Sequence, residues 1–292
     1  MYESYYGLRE KPFALAPDPQ FLFLGRHHRR ALTLLEYALH DGTGFALVTG
    51  RVGCGKTTIV RSVLSRATHQ YTVGLIANTH ARLGALLPWV ARAVGMKHIA
   101  VSESELYDDF VSHLMNEYGA GRRVVLIVDE AQSLSFDGLE ELRVLSNVNT
   151  GKDLLLQTIL IGQPELRTTL AQPRLQQFAQ RISIEYHIDA LSRDETRAYI
   201  AHRVQVAGGS ATLFAADAVE AIHANTNGVP RVINQVCESA LVYAFADQRP
   251  FVDAEIAGQV IDDRRLGGLA PATLDCVGMH GAASRGTRAE LL

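Results

Sequence analysis

Gly50-Arg51-Val52-Gly53-Cys54-Gly55-Lys56-Thr57, entered through the apolar run Phe45-Ala46-Leu47-Val48-Thr49 and left through Thr58-Ile59-Val60, decides the reading of this chain. The eight residues fit the pattern G-x-x-x-x-G-K-[ST] in full, with a strand before it and a helix after it as that pattern requires. The glycines let the backbone wrap closely around phosphate oxygens and present N–H donors at a helix N-terminus. Lys56 reaches the β- and γ-phosphates and the Thr57 hydroxyl ligates Mg²⁺. Residues Gly50, Arg51, Val52, Gly53, Cys54, Gly55, Lys56, Thr57 and Thr58 are therefore the predicted cradle for ATP. Cys54 reads as a small residue that fits the loop rather than as a redox centre.

The next signal downstream is Val124-Val125-Leu126-Ile127-Val128, closed by Asp129-Glu130. An apolar strand that ends in two carboxylates is costly unless they are used. Asp129 reads as the second holder of Mg²⁺ and Glu130 as the group that orients or activates the attacking water. Gln163 closes the next strand, Leu155 to Ile161, and reads either as a residue that senses the γ-phosphate or orients the water, or as an ordinary turn residue. Asn78 ends the strand Tyr71 to Ala77. It reads either as a partner that restrains Glu130 or as an ordinary turn residue. Arg181, before the strand Ile182 to Ile188, reads as an arginine that completes a neighbouring subunit's site, with Arg174 as its competitor. Arg231, in Gly228-Val229-Pro230-Arg231, is placed to reach the γ-phosphate from the start of a helix. The run Arg26-His27-His28-Arg29-Arg30 reads as a solvated helix start.

Strands alternating with helices predict a parallel sheet covered on both faces, an α/β sandwich of the P-loop NTPase kind. After Leu191 the pattern is helical throughout (Arg193 to Val206, Ala216 to Ala224, Pro230 to Ala246, Asp253 to Ile261), which predicts a small all-α lid. The expected organisation is an aromatic and Pro-rich arm over 1–27, the ATPase core over 28–190, the lid over 191–264 and a disordered Gly, Ala and Arg-rich tail over 265–292.

Of the 292 residues 47% are hydrophobic and 20% charged, and the net charge of -3 leaves nucleic-acid binding to a local basic patch if there is any. The three cysteines, widely spaced and without a CxxC pair, suggest neither a disulfide framework nor a zinc site. The N-terminus has no secretory pattern, and no apolar run approaches the roughly 18 residues of a membrane span. The expectation is a cytoplasmic protein that meets a membrane only through a partner.

Taken together, the Gly50 to Thr57 loop, Asp129-Glu130-Ala131-Gln132, Gly162-Gln163-Pro164-Glu165-Leu166 and Gly228-Val229-Pro230-Arg231 resemble the ExeA-type AAA+ ATPases, the general secretion pathway protein A family. The opening Tyr5-Tyr6-Gly7-Leu8-Arg9-Glu10-Lys11-Pro12-Phe13, with Pro17-Asp18-Pro19 and Phe21-Leu22-Phe23-Leu24, resembles them too. His28 to Thr58 is similar to the ATPases of exosortase (PEP-CTERM) systems. The resemblance covers about Met1 to Arg264. It implies ATP with Mg²⁺, a ring or partner-induced homo-oligomer, the roles given above for Lys56, Thr57, Asp129, Glu130, Gln163, Arg181 and Arg231, and a place near the adenine for Pro17 to Phe23. Longer members continue into a transmembrane helix and a peptidoglycan-binding domain. Neither is seen in this sequence, so the shorter exosortase-associated type is the closer fit.

Two functions follow as expectations. One is an ATPase that drives or regulates an envelope system (exopolysaccharide export with exosortase sorting, or secretion) through a protein partner. The other is a DNA-transaction ATPase like the transposition regulators TniB and TnsC. The charge balance and the lack of a helix-turn-helix weigh against the second. A helicase needs a second sheet-containing motor domain, for which the helical residues after Leu191 leave no room.

Overall fold

The computed structural model describes residues 1–16, 18–66, 70–77, 85–97 and 102–267. Asn78, Pro17 and nearly all of the expected tail lie outside the described residues. The apolar segments form one parallel sheet of five strands: β1 (Phe45–Gly50), β2 (Tyr71–Ile76), β3 (Arg123–Val128), β4 (Leu156–Gly162) and β5 (Ile182–Ile188), in the order β2-β3-β4-β1-β5. Strand β3 shows why the run lacks alternation. Val124, Leu126 and Val128 enter the hydrophobic cluster on one face, while Val125 and Ile127 enter the cluster on the other. Both faces of a parallel sheet are covered, so every position is apolar.

Helices α1 (Arg26–Asp41) and α2 (Lys56–Arg66) supply the cover on one face. On the other lie α3 (Leu87–Ala93), α4 (Glu103–Gly119), α5 (Phe136–Leu145), α6 (Glu165–Leu170) and α7 (Gln176–Ala179). The two short helices α6 and α7 have no counterpart in the sequence reading, because six and four residues are too few to show a helical period. Helix α1 begins at Arg26, and its first turn departs from the solvated face expected for 26–30. Arg26, Arg29 and Arg30 are exposed, but His28 is buried. The helical period explains the difference: His28 shares the stripe of Leu32, Leu35 and Leu39, which packs on the sheet.

Helices α8 (Arg193–Val206), α9 (Ala216–Thr226), α10 (Pro230–Ala246) and α11 (Ala254–Leu266) surround their own cluster. The N-terminal arm contributes to that cluster rather than to the sheet: Tyr2, Leu8, Phe13 and Phe21 are buried against residues such as Ile233 and Leu241. Glu195 ties the two layers together. It closes the capping box of α8 with Ser192, and its Oε1 also accepts the first N–H of α1, from Arg26, at 2.6 Å.

Gly228 fixes the junction between β5 and α8. Its φ is +69°, and a Cβ there would stand 1.9 Å from the Leu191 carbonyl oxygen. The Leu191 N–H in turn donates to the Gly228 carbonyl at 2.9 Å. Gly228→Ala therefore combines a left-handed backbone with a backbone clash. It is expected to lower the unfolding free energy by roughly 3 kcal/mol, and a urea midpoint equal to that of the wild type would contradict the packing described.

A candidate nucleotide-binding site

The loop after β1 opens on a cleft of about 400 Å³ between the sheet and the helices after Leu191. Gly53, Lys56, Thr57, Glu130, Arg231 and Phe21 are among its lining residues. Gly53 has φ +81°, and a Cβ there would lie 2.6 Å from the Arg231 Cβ. Only a glycine lets α10 approach the loop this closely, and the Arg231 N–H donates to the Gly53 carbonyl at 3.2 Å. Cys54 is fully buried behind the loop and Thr58 lines the cleft. Gly50 ends β1, and Arg51 and Val52 form the exposed crest of the turn.

Lys56 is 6% exposed and donates to the carbonyls of Gly50 (2.7 Å) and Arg51 (3.0 Å). Burial pushes its ammonium below the ordinary lysine value, against the pull of the Glu130, Asp129 and Glu165 carboxylates. The Thr57 hydroxyl donates to Asp129 Oδ2 at 2.8 Å. A hydroxyl and a carboxylate side by side are hard oxygen donors of the kind that suits Mg²⁺. The residues present thus fit both a polyphosphate and its metal.

Glu130 leaves β3 in the left-handed region, at φ 53°, where a non-glycine residue is uncommon and marks local constraint. Its Oε2 accepts from Gln132 Nε2 at 2.5 Å and from Gln163 Nε2 at 3.3 Å. Gln163 therefore stands beside Glu130 at the strand ends. Arg181 lies elsewhere. It precedes Ile182, which pairs with Phe45 at the start of β1, whereas the loop leaves from Gly50 at its end. A strand of this length separates the two by roughly 17 Å. Its guanidinium donates to the Arg143 carbonyl and to Ser146 Oγ at 3.2 and 3.1 Å. Arg174 is exposed, pairs with Asp137 and stacks over Phe136 at 5.4 Å.

Two cleft residues carry no motif. Arg203 is buried and donates to the carbonyls of Pro12 (2.5 Å) and Ala14 (3.3 Å) and to the Tyr199 hydroxyl (3.1 Å), with its guanidinium 4.7 Å from the Phe21 ring centre. It pins the arm against α8, and Ala14 to Ala16, Asp18 and Phe21 to Phe23 wall the cleft. His28 reaches the Cys54 carbonyl through Nε2 at 2.9 Å, and burial pushes its imidazole below the ordinary histidine value. In sequence the first is one of many helical arginines and the second belongs to a basic run. Only the helical stripe of α1 could have singled out His28.

The parallel sheet and the loop define the class, the P-loop NTPase fold, and residues 39–170 match the family model described as an AAA domain. At the level of individual proteins, the chain is 40% identical over 247 residues to General secretion pathway protein A of Aeromonas hydrophila, which supports the ExeA-type resemblance. That match takes in 84% of this chain and 45% of the relative, so the chain spans less than half of the relative's length. Among solved structures, the Aeropyrum pernix ORC2 protein aligns with a TM-score of 0.66 at 18% identity, over 87% of this chain and 71% of that one. The A. pernix ORC1 protein in complex with DNA aligns at 0.64 with 20% identity, over 90% and 72%. These two likenesses establish the fold. Among the described residues no helix is long and apolar enough to cross a membrane.

Lys56→Ala removes the one ammonium buried at the loop. It is expected to abolish ATP binding in isothermal titration while leaving the circular dichroism spectrum intact. ATP affinity within threefold of wild type, a deliberately strict bound against the loss of about a hundredfold that charged phosphate contacts support, would refute the assignment of the cradle.

Proposed function

We propose that this ATPase binds Mg·ATP between a core (28–190) and a helical lid (191–264) and hydrolyses it with Glu130, in an assembly of several copies, to drive or regulate a secretion or envelope system. The observation that carries the reading is the meeting of Lys56, Thr57, Asp129, Glu130 and Gln163 at the ends of three strands beside Arg231. Thr57 and Asp129 would hold Mg²⁺, which when bound would neutralise charge on the β- and γ-phosphate oxygens. Lys56 binds the same oxygens, and Arg231 carries the nucleotide state to α10. Glu130 takes hold of a water and draws a proton from it as the water oxygen attacks the γ-phosphorus. The bond to the β-γ bridging oxygen breaks, and ADP and phosphate leave. Positioning and electrostatics do this work, since phosphoryl transfer asks for little covalent chemistry from the protein.

Arg181 is too far from its own Lys56 to serve the same nucleotide, which supports a role in a neighbouring copy's site. The likeness to General secretion pathway protein A supports secretion as the process. Within that, the similarity of His28 to Thr58 to the exosortase-associated ATPases favours exopolysaccharide export and sorting, with the protein at the cytoplasmic side.

The deciding experiment is ATP turnover against protein concentration, with and without duplex DNA. Turnover that rises with concentration and ignores DNA supports the proposal, while strong stimulation by DNA replaces it with the transposition-regulator reading. Glu130→Gln is expected to keep ATP affinity within about threefold and to lose at least about a hundredfold in turnover, the usual size of a lost general base. Mixing tests the shared site. Arg181→Ala and Lys56→Ala chains, each inactive alone, are expected to regain activity together, because one keeps the nucleotide site and the other keeps the arginine. If instead Arg174→Ala chains behave this way, Arg174 is the arginine that crosses.

A further inference from the structure

Strand β3 ends at Val128, so the strand itself does not hold the Glu130 carboxylate. The chain turns at Glu130 into a short 3-10 helix, Ala131–Ser133, and the Gln132 side chain lies beside that of Glu130. Gln132 then uses both ends of its amide. Its Nε2 donates to Glu130 Oε2 at 2.5 Å, and its Oε1 accepts the backbone N–H of Gln163 at 3.0 Å. Gln163 closes the ring by donating its own Nε2 to the same Glu130 oxygen at 3.3 Å. The absence of a side chain at Gly162 leaves room for this, since a Cβ there would lie 3.2 Å from Gln132 Oε1. The orientation of the amide is dictated by its neighbours, a carboxylate that needs a donor and an N–H that needs an acceptor.

We propose that Gln132 is a positioning residue for hydrolysis: it locks the Glu130 carboxylate to the end of β4, so that the aim of the carboxylate follows the strand end that meets the γ-phosphate. This rests on the reading of Glu130 as the group that handles water. The chemistry at position 132 is narrow. A glutamate offers no donor at neutral pH, a methionine has the reach without donor or acceptor strength, and an asparagine is one methylene too short to span from the carboxylate to the Gln163 N–H. Glu130 sits in a strained backbone conformation at the mouth of the cleft. Without the amide its carboxylate loses the shorter of the two bonds and keeps the longer one from Gln163, and a displacement of about 1 Å is enough to cost about a hundredfold in rate.

The test uses the full chain with Gln132→Met, Gln132→Glu, Glu130→Gln and the double variant Glu130→Gln/Gln132→Met. Gln132→Met is expected to lower kcat by roughly ten- to a hundredfold with the KM for ATP held within about threefold, because positioning is lost and binding is not. In the Glu130→Gln background the same change is expected to cost nothing further, since Gln132 acts through that carboxylate. Gln132→Glu keeps the length of the side chain and loses its donor, so it is expected to lower kcat at least as far as Gln132→Met does, which a side chain that only fills space would not require. Normal kcat for Gln132→Met beside a dead Glu130→Gln overturns this inference alone. So does an additive loss in the double variant, or a normal kcat for Gln132→Glu. A Glu130→Gln chain that turns over at the wild-type rate removes the reading of Glu130, and this inference with it.

Discussion

The hydrogen bond from Thr57 to Asp129 joins two strands that are not neighbours. Thr57 follows β1, Asp129 follows β3, and β4 lies between them in the sheet. A contact of this kind forms only when all three strands end at the same level, so it depends on the register of the whole central sheet. That register is held by apolar side chains on both faces, which cannot slip by one residue without exchanging the two hydrophobic clusters. The chemistry at the top of the sheet thus rests on packing well below it. Inserting β4 between the two acting strands also sets Gln163 beside the Glu130 carboxylate.

The helices after Leu191 obey a different constraint. Gly53 and Gly228 are both places where another backbone or side chain occupies the space of a Cβ. At Gly53 the intruder is Arg231, and at Gly228 it is Leu191. Both contacts bring α10 against the core, so a residue read from its motif as a lid arginine is held at the loop by its backbone as well. Glu195 adds a polar clasp from α8 to the start of α1. The orientation of the helical unit is therefore fixed at the loop, at the junction and at the α1 terminus.

How much of this was legible in the sequence depends on the range of the interactions. The loop 50–57 and the run Val124 to Glu130 announce themselves because their meaning lies in consecutive residues. The parallel sheet follows from their alternation with helical periods. Short helices such as α6 and α7 are invisible to any period. Arg203 and Gln132 are hidden for another reason. The partners of Arg203 are carbonyls of the arm nearly two hundred residues earlier, and Gln132 matters through a backbone N–H at the end of a different strand. Carbonyls and N–H groups have no residue identity, so a sequence carries no trace of which ones a side chain will find. His28 stands between these cases: its burial was written in the stripe of α1, and the surrounding basic run concealed it.

The arm has one more consequence, which concerns the order in which the molecule can be made. Tyr2 donates its hydroxyl to Glu238 at 2.8 Å, and Tyr2, Leu8 and Phe13 fill the core of helices that begin only at Arg193. A chain leaving the ribosome exposes these apolar residues well before the helices that bury them have been made. The sheet, complete once Ile188 has emerged, can close in the meantime, while the N-terminus waits with apolar surface uncovered. Contacts of such long sequence separation form late and leave sticky surface open to other molecules. The helices after Arg193 thus also complete the burial of the arm, and a nascent chain halted before α10 would hold a folded sheet with an arm that has nowhere to dock.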